Sequence, residues 1–303
     1  MIVIACPGQG SQKPGFMSVW LEIDSYRQDI EMMSEAIGLD LVKHGTVSDE
    51  ETIRDTQIAQ PLIVAASIAS ANLLNLDKAA GVAGHSVGEV AAGYVAGILN
   101  QTDAINLVNL RGQAMAKAAK LSTDTAMAAV LGGEESEVLA KLAEYDLTPA
   151  NYNGAGQIVA AGLKSSIDKL IQNPPAMAKV IPLSVAGAFH TKYMEPAVAE
   201  LTEFTNSITP SDPKKIIWSN QSGQRINSGV EYLDLLVGQV ANPVRWDLCM
   251  KSMNEQSVNG LIELSPAGTL AGLAKRGMQL TEIVSLKEPA DIERANNLLS
   301  GEK

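Results

Sequence analysis

The sequence predicts an α/β fold, with a large domain on a parallel sheet core and a small βαββαβ unit inserted into it. Three observations carry this expectation. Short apolar runs such as Met1–Ala5 and Ala79–Ala83 lead into glycine-containing turns, the pattern of strands buried on both faces. Helix-period segments alternate with them, the order that builds a parallel sheet. Between residues 124 and 187 the order changes to strand, helix, two short strands, helix, strand, which is the ferredoxin-like arrangement. The expected partition is 1–123 and 188–303 for the large domain and 124–187 for the small one, with Ser122-Thr123-Asp124 and Ala186-Gly187-Ala188 as hinges.

Composition narrows the function. At 303 residues, 46% hydrophobic and 19% charged, the chain has enough apolar material for a large core and nothing typical of disorder. A net charge of −11 without a basic stripe excludes nucleic acid as a partner, and any anion must be met by a local positive group. The amino terminus lacks a basic region and its apolar run is too short for a signal peptide; the longest apolar stretch, Pro61–Leu76, is broken by Ser67, Ser70, Asn72 and Asn75. A cytoplasmic protein with no membrane contact is expected. Cys6 and Cys249 have no metal or disulfide spacing and read as small buried hydrophobes.

The first strand runs into Pro7-Gly8-Gln9-Gly10-Ser11-Gln12, which is neither a P-loop nor a Rossmann turn and leaves a tight loop presenting the Gln9 amide. Helices are expected over Trp20–Ile37 and over Pro61–Leu76, the latter with Pro61 in its first turn. His44 falls in an acidic, loop-like stretch. The strand at 79–83 then leads through Gly84-His85-Ser86-Val87-Gly88 into a helix, Glu89–Ala96, the context in which G-x-S-x-G forms a nucleophile elbow on an α/β-hydrolase-like sheet. The glycines let strand and helix approach, Ser86 is pushed out at the sheet edge, and the Val87 amide points where an oxyanion would form.

The next helix, Thr102–Leu121, places Arg111 within an apolar stripe of Leu107, Val108, Ala114, Met115 and Ala118. A guanidinium there needs an anion beside it: either an internal carboxylate, Asp103 or Glu89, or a ligand. The small domain comprises Ala126–Leu131, Glu134–Tyr145, Pro149–Tyr152, Ile158–Ala161, Lys164–Gln172 and Lys179–Val185. After it comes Gly187-Ala188-Phe189-His190. The chain has three histidines; His85 projects to the side opposite its neighbour Ser86, so elimination leaves His190 as the base. Strands at Lys215–Ser219, Leu261–Leu264 and Ile283–Leu286, and helices at Val230–Val240, Arg245–Asn254, from Thr269 and at the C-terminus, complete the large domain.

With Gln9, Ser86, Arg111 and His190 in place, the sequence resembles the malonyl-CoA:acyl-carrier-protein transacylases of type II fatty acid synthesis, and is similar to polyketide synthase acyltransferase domains. The matching motifs span nearly the whole chain and include Gln60-Pro61, Arg111-Gly112, Asn153–Gln157, Gln239–Trp246 and Pro266-Ala267-Gly268. The resemblance implies that Ser86 is the acyl-accepting nucleophile and His190 its base, oriented by the Gln239 backbone carbonyl. It implies that Gln9 and Val87 form the oxyanion hole, that Arg111 clamps the malonyl carboxylate, and that Phe189, His85, Asn153 and Gln239 belong to substrate binding. Phe189 and Val87 fit malonyl over methylmalonyl, whereas Gly187 is uninformative. Further implications are malonyl-CoA as substrate, an acyl carrier protein bearing phosphopantetheine as partner, no permanently bound cofactor or metal, and a monomer. A basic patch of Lys192, Lys275 and Arg276 is the expected docking point for an acidic carrier.

Three other readings compete. A serine esterase needs an acidic triad member between Ser86 and His190 in chain order, where Asp124 to Asp168 all fall in or beside the small domain. A non-catalytic acyl-binding subunit would lack a site residue. The acyltransferase subunit of a malonate decarboxylase uses similar chemistry with a different carrier.

Overall fold

The computed structural model describes residues 1–280 and 282–301, among which eleven strands form two sheets. The strands are β1 (Ile2–Cys6), β2 (Gly81–Gly84), β3 (Thr125–Gly132), β4 (Thr148–Gly154), β5 (Gln157–Leu163), β6 (Ala178–Leu183), β7 (Ile216–Trp218), β8 (Arg225–Ile226), β9 (Val244–Arg245), β10 (Gly260–Glu263) and β11 (Glu282–Ser285). The larger sheet has the order β11-β10-β1-β2-β7-β8, parallel throughout except for the antiparallel edge strand β8.

Period-two alternation explains why β1 reads as an unbroken apolar run. Ile4 and Cys6 enter the core on one side of the sheet, with Val82, Val90 and Ile262, whereas Val3 and Ala5 enter a second cluster on the other, with Ala83, Trp218 and Trp246. Helices Thr56–Ala71 and Gln101–Leu121 pack against each other within the first cluster. Among the described residues no helix is long and apolar enough to cross a membrane.

The second sheet has the order β6-β3-β5-β4-β9. Its first four strands are mutually antiparallel in the ferredoxin-like order, and helices Glu135–Glu144 and Lys164–Gln172 bury Val138, Leu142, Ile167 and Leu170 against Ala128 and Val130. The fifth strand comes from far along the chain: β9 pairs in parallel with β4, Asn151 opposite Val244 and Tyr152 opposite Arg245. The Arg245 guanidinium lies 4.4 Å from the centre of the Tyr152 ring and pairs with Asp247 at 2.7 Å, reinforcing this joint.

Several expectations are corrected. The span Trp20–Ile37 is broken at Ile23, whose extended backbone separates a 3₁₀ turn, Trp20–Glu22, from the helix Asp24–Ile37. The Pro61 helix begins at Thr56, because Asp55 caps it by accepting from the Gln57 amide, and Pro61 therefore lies inside it. His44 belongs to a short helix, Leu41–Thr46, that Asp40 caps. The helix at Glu195–Thr205 is absent from the sequence reading, as are β8 and β9, which at two residues each are too short to show a period.

Candidate active site

At the end of β2 the chain turns through His85, Ser86 and Val87 into the helix Gly88–Val95. Two glycines permit the turn. A Cβ on Gly84 would lie 2.1 Å from the Gly88 carbonyl carbon, and one on Gly88 would lie 2.2 Å from the Cys6 oxygen. Ser86 occupies the left-handed region, φ 52°, a conformation that costs a non-glycine residue about 1–3 kcal/mol and is kept only where its surroundings over-determine it. Here the Ser86 amide donates to Asn220 Oδ1 at 2.8 Å, while Asn220 Nδ2 donates to the Gly84 carbonyl at 2.8 Å, so one side chain bridges the turn.

Ser86 Oγ is 2.7 Å from His190 Nε2, and His190 Nδ1 is 2.8 Å from the Gln239 carbonyl oxygen. A carbonyl only accepts, so Nδ1 carries the proton and the Nε2 lone pair faces the serine hydroxyl, which donates to it. Burial, reinforced by the nearby Arg111 charge, pushes the His190 imidazole down to about 3, which keeps it neutral. The acidic triad member that an esterase requires is replaced here by a backbone carbonyl.

Arg111, 1% exposed, makes neither of the internal ion pairs considered from sequence. Asp103 instead accepts from Asn100 at the start of the same helix, and Glu89 is reached only through Gln239. Arg111 Nη1 donates to Gln60 Oε1 at 2.6 Å and Nη2 to Gln239 Oε1 at 2.8 Å, while the buried Nε has no protein partner among the described residues. Neutral amide oxygens position the guanidinium without neutralising it, so its charge remains available to an anion.

These groups meet in a cleft of about 430 Å³ whose walls include Gln9, His85, Ser86, Val87, Arg111, Asn153, Phe189 and His190. The backbone amides of Gln9 and Val87 donate to no protein acceptor among the described residues, and Ser11 Oγ, donating to the Gly8 carbonyl at 2.7 Å, tightens the loop before Gln9. His85, expected to project to the side opposite Ser86, has its Nε2 2.8 Å from Asn153 Oδ1, and its ring forms part of the same wall as Ser86 and His190. Gln239, counted with substrate binding, instead stands behind the wall, buried between Arg111, Ser86 and Glu89.

Sequence reasoning missed the supporting layer. Gln60 appeared only within a motif, Glu89 as the start of the elbow helix and a salt-bridge candidate with no role of its own, and Asn220 not at all. Gln60 carried a usable signal, being a polar residue in the run Ile58–Val64, as Arg111 is in its own helix. Asn220 follows β7, whose pairing with β2 no local pattern reveals.

Residues 3–294 match the family model described as acyl transferase domain. The chain is 45% identical to the malonyl CoA-acyl carrier protein transacylase of Mycobacterium bovis over 98% of this chain and 100% of that protein. It superposes on the crystal structure of MCAT from Mycobacterium tuberculosis with a TM-score of 0.94, at 44% identity, covering 98% of this chain and 100% of that one. A malonyl-transacylase in complex with a type II PKS acyl-carrier protein is 27% identical, with a TM-score of 0.91 and coverage of 98% and 99%. A half-buried serine hydrogen-bonded to a buried histidine, on an elbow at the carboxyl end of a parallel strand, a ferredoxin-like second sheet and a family match along almost the entire length lead to one conclusion: the chain belongs to the acyl transferase domain family.

Proposed function

We propose that the chain transfers the malonyl group of malonyl-CoA to the phosphopantetheine thiol of an acyl carrier protein through a malonyl-serine on Ser86, supplying extender units for fatty acid synthesis. The observation that carries this reading is the presence in one cleft of an activated serine and a guanidinium with unsatisfied donors. In the first half-reaction His190 Nε2 takes the Ser86 proton as Oγ attacks the thioester carbonyl. The oxyanion is met by the Gln9 and Val87 amides; the C–S bond breaks, and CoA leaves with the proton from His190. In the second, the carrier thiol gives its proton to His190 and attacks the malonyl ester, and Ser86 regains the proton as it departs.

Arg111 selects the acyl group. An acetyl group leaves the guanidinium without an anion, whereas malonate supplies a carboxylate to it. The proposal takes residues 124–187 as a small domain closing one side of the cleft, through Asn153 and the lining residues Met127 and Val159. The relatives named malonyl CoA-acyl carrier protein transacylase, and the complex with a type II PKS carrier, support both substrate and partner. A steady-state assay of malonyl transfer from malonyl-CoA to a holo carrier protein tests it. Transfer abolished by Ser86→Ala is the expected result, and hydrolysis to free malonate at a rate independent of carrier would contradict it.

A further inference from the structure

Beneath the cleft lies a buried polar chain whose polarity follows from one fact, that Arg111 carries donors only. The Gln239 amide must therefore turn its oxygen to Arg111 Nη2, and its NH₂ points the other way, to Glu89 Oε2. The same NH₂ lies 3.2 Å from the Ser86 carbonyl and 3.2 Å from Asn220 Oδ1, both acceptors. The other Glu89 oxygen accepts the Asn220 backbone N–H at 2.7 Å. Glu89, 1% exposed, thus faces two donors and satisfies both with both oxygens accepting, as a carboxylate does.

We propose that Glu89 is a positioning residue for acyl transfer: through the Gln239 side-chain amide it fixes the Arg111 guanidinium, and with it the preference for an acyl group bearing a carboxylate. The inference rests on the transacylase reading above. Gln239 serves two sites at once, its backbone carbonyl holding His190 Nδ1 and its side-chain oxygen holding Arg111. An amide at position 89 breaks only the second. A glutamine there would give its oxygen to the Asn220 N–H and turn its NH₂ toward Gln239. Gln239 would then have to flip, presenting NH₂ to Arg111, donor against donor.

The test is Glu89→Gln beside the conservative Glu89→Asp, assayed with malonyl-CoA and acetyl-CoA alongside wild type. Glu89→Gln is expected to lower kcat/KM for malonyl-CoA on the order of 10- to 100-fold, mainly through KM, and to change acetyl transfer by less than about threefold. Glu89→Asp keeps a carboxylate that can accept from the Gln239 NH₂ and so keeps the neutral Gln239 oxygen on Arg111; it is expected to recover most of the malonyl loss. Equal losses for the two acyl groups, or Glu89→Asp no better than Glu89→Gln, would overturn the role of Glu89. Should Glu89→Gln not fold, Glu89→Asp decides: folded and malonyl-selective supports the role, unfolded or unselective overturns it. A wild type that forms no malonyl adduct would overturn the transacylase reading itself, which separates the two failures.

Discussion

Replacing Arg111 by Ala removes a guanidinium whose five N–H groups are unequally used. Gln60 and Gln239 take one each, leaving three, of which a carboxylate can engage two side by side. A hydrogen bond to a charged group contributes about 1.5–3 kcal/mol, so two amount to about 3–6 kcal/mol of malonyl-specific stabilisation. At about 1.4 kcal/mol per decade this is on the order of 10²–10⁴ in kcat/KM for malonyl-CoA. Acetyl-CoA makes no such bonds, and its kcat/KM should stay within about tenfold of wild type. The assay is transfer from each thioester to a holo carrier protein, with thermal unfolding as a check that the variant remains folded, since Gln60 and Gln239 each lose a donor. Arg111→Lys, a point charge without the planar fork, should fall between the two. A parallel loss for malonyl and acetyl would refute the argument and return Arg111 to a structural role.

Three further outcomes follow from the same geometry. Asn220→Ala orphans the Ser86 amide and the Gly84 carbonyl, each a cost of about 1–3 kcal/mol; urea unfolding should show a loss of about 2–6 kcal/mol, and a loss under about 1 kcal/mol would show that the elbow does not depend on Asn220. Gly88→Ala puts a methyl 2.2 Å from the Cys6 carbonyl, where only backbone can give way, so a destabilisation above about 3 kcal/mol is expected, and a variant with normal unfolding would contradict the close approach. His190 has an ordinary value of 6.5 in the unfolded chain and about 3 when folded, so below 6.5 the unfolded state binds a proton that the folded state refuses. Its contribution to stability is therefore complete above 6.5 and lost as pH falls toward 3, at about 1.4 kcal/mol per pH unit, and His190→Gln should flatten that part of a stability-against-pH curve.

How much of this was legible in the sequence depends on the range of the interaction involved. The elbow was readable because its glycines, its strand and its helix are contiguous from 79 to 96, and the small sheet because β3 to β6 follow one another in the chain. Arg111 announced itself as a charge in an apolar stripe, but what accompanies it did not. Two amide oxygens hold it, from residues 51 and 128 positions away, whereas the sequence offers only Asp103, about two turns back along the same helix, and the nearby Glu89. His190 emerged by counting histidines, while its orienting partner, a backbone carbonyl, has no residue-type signature. Asn220 and β9 were invisible for a related reason: the strand before Asn220 was readable but not that it lies beside β2, and the two-residue β9 leaves no periodic trace.

Intact-protein mass spectrometry after brief mixing with malonyl-CoA, followed by addition of a holo acyl carrier protein, tests the central claim most directly. The geometry predicts a malonyl adduct on Ser86 that is absent in Ser86→Ala and moves to the carrier when it is added. An adduct on another residue, or one that decays to free malonate at the same rate with and without carrier, would contradict it.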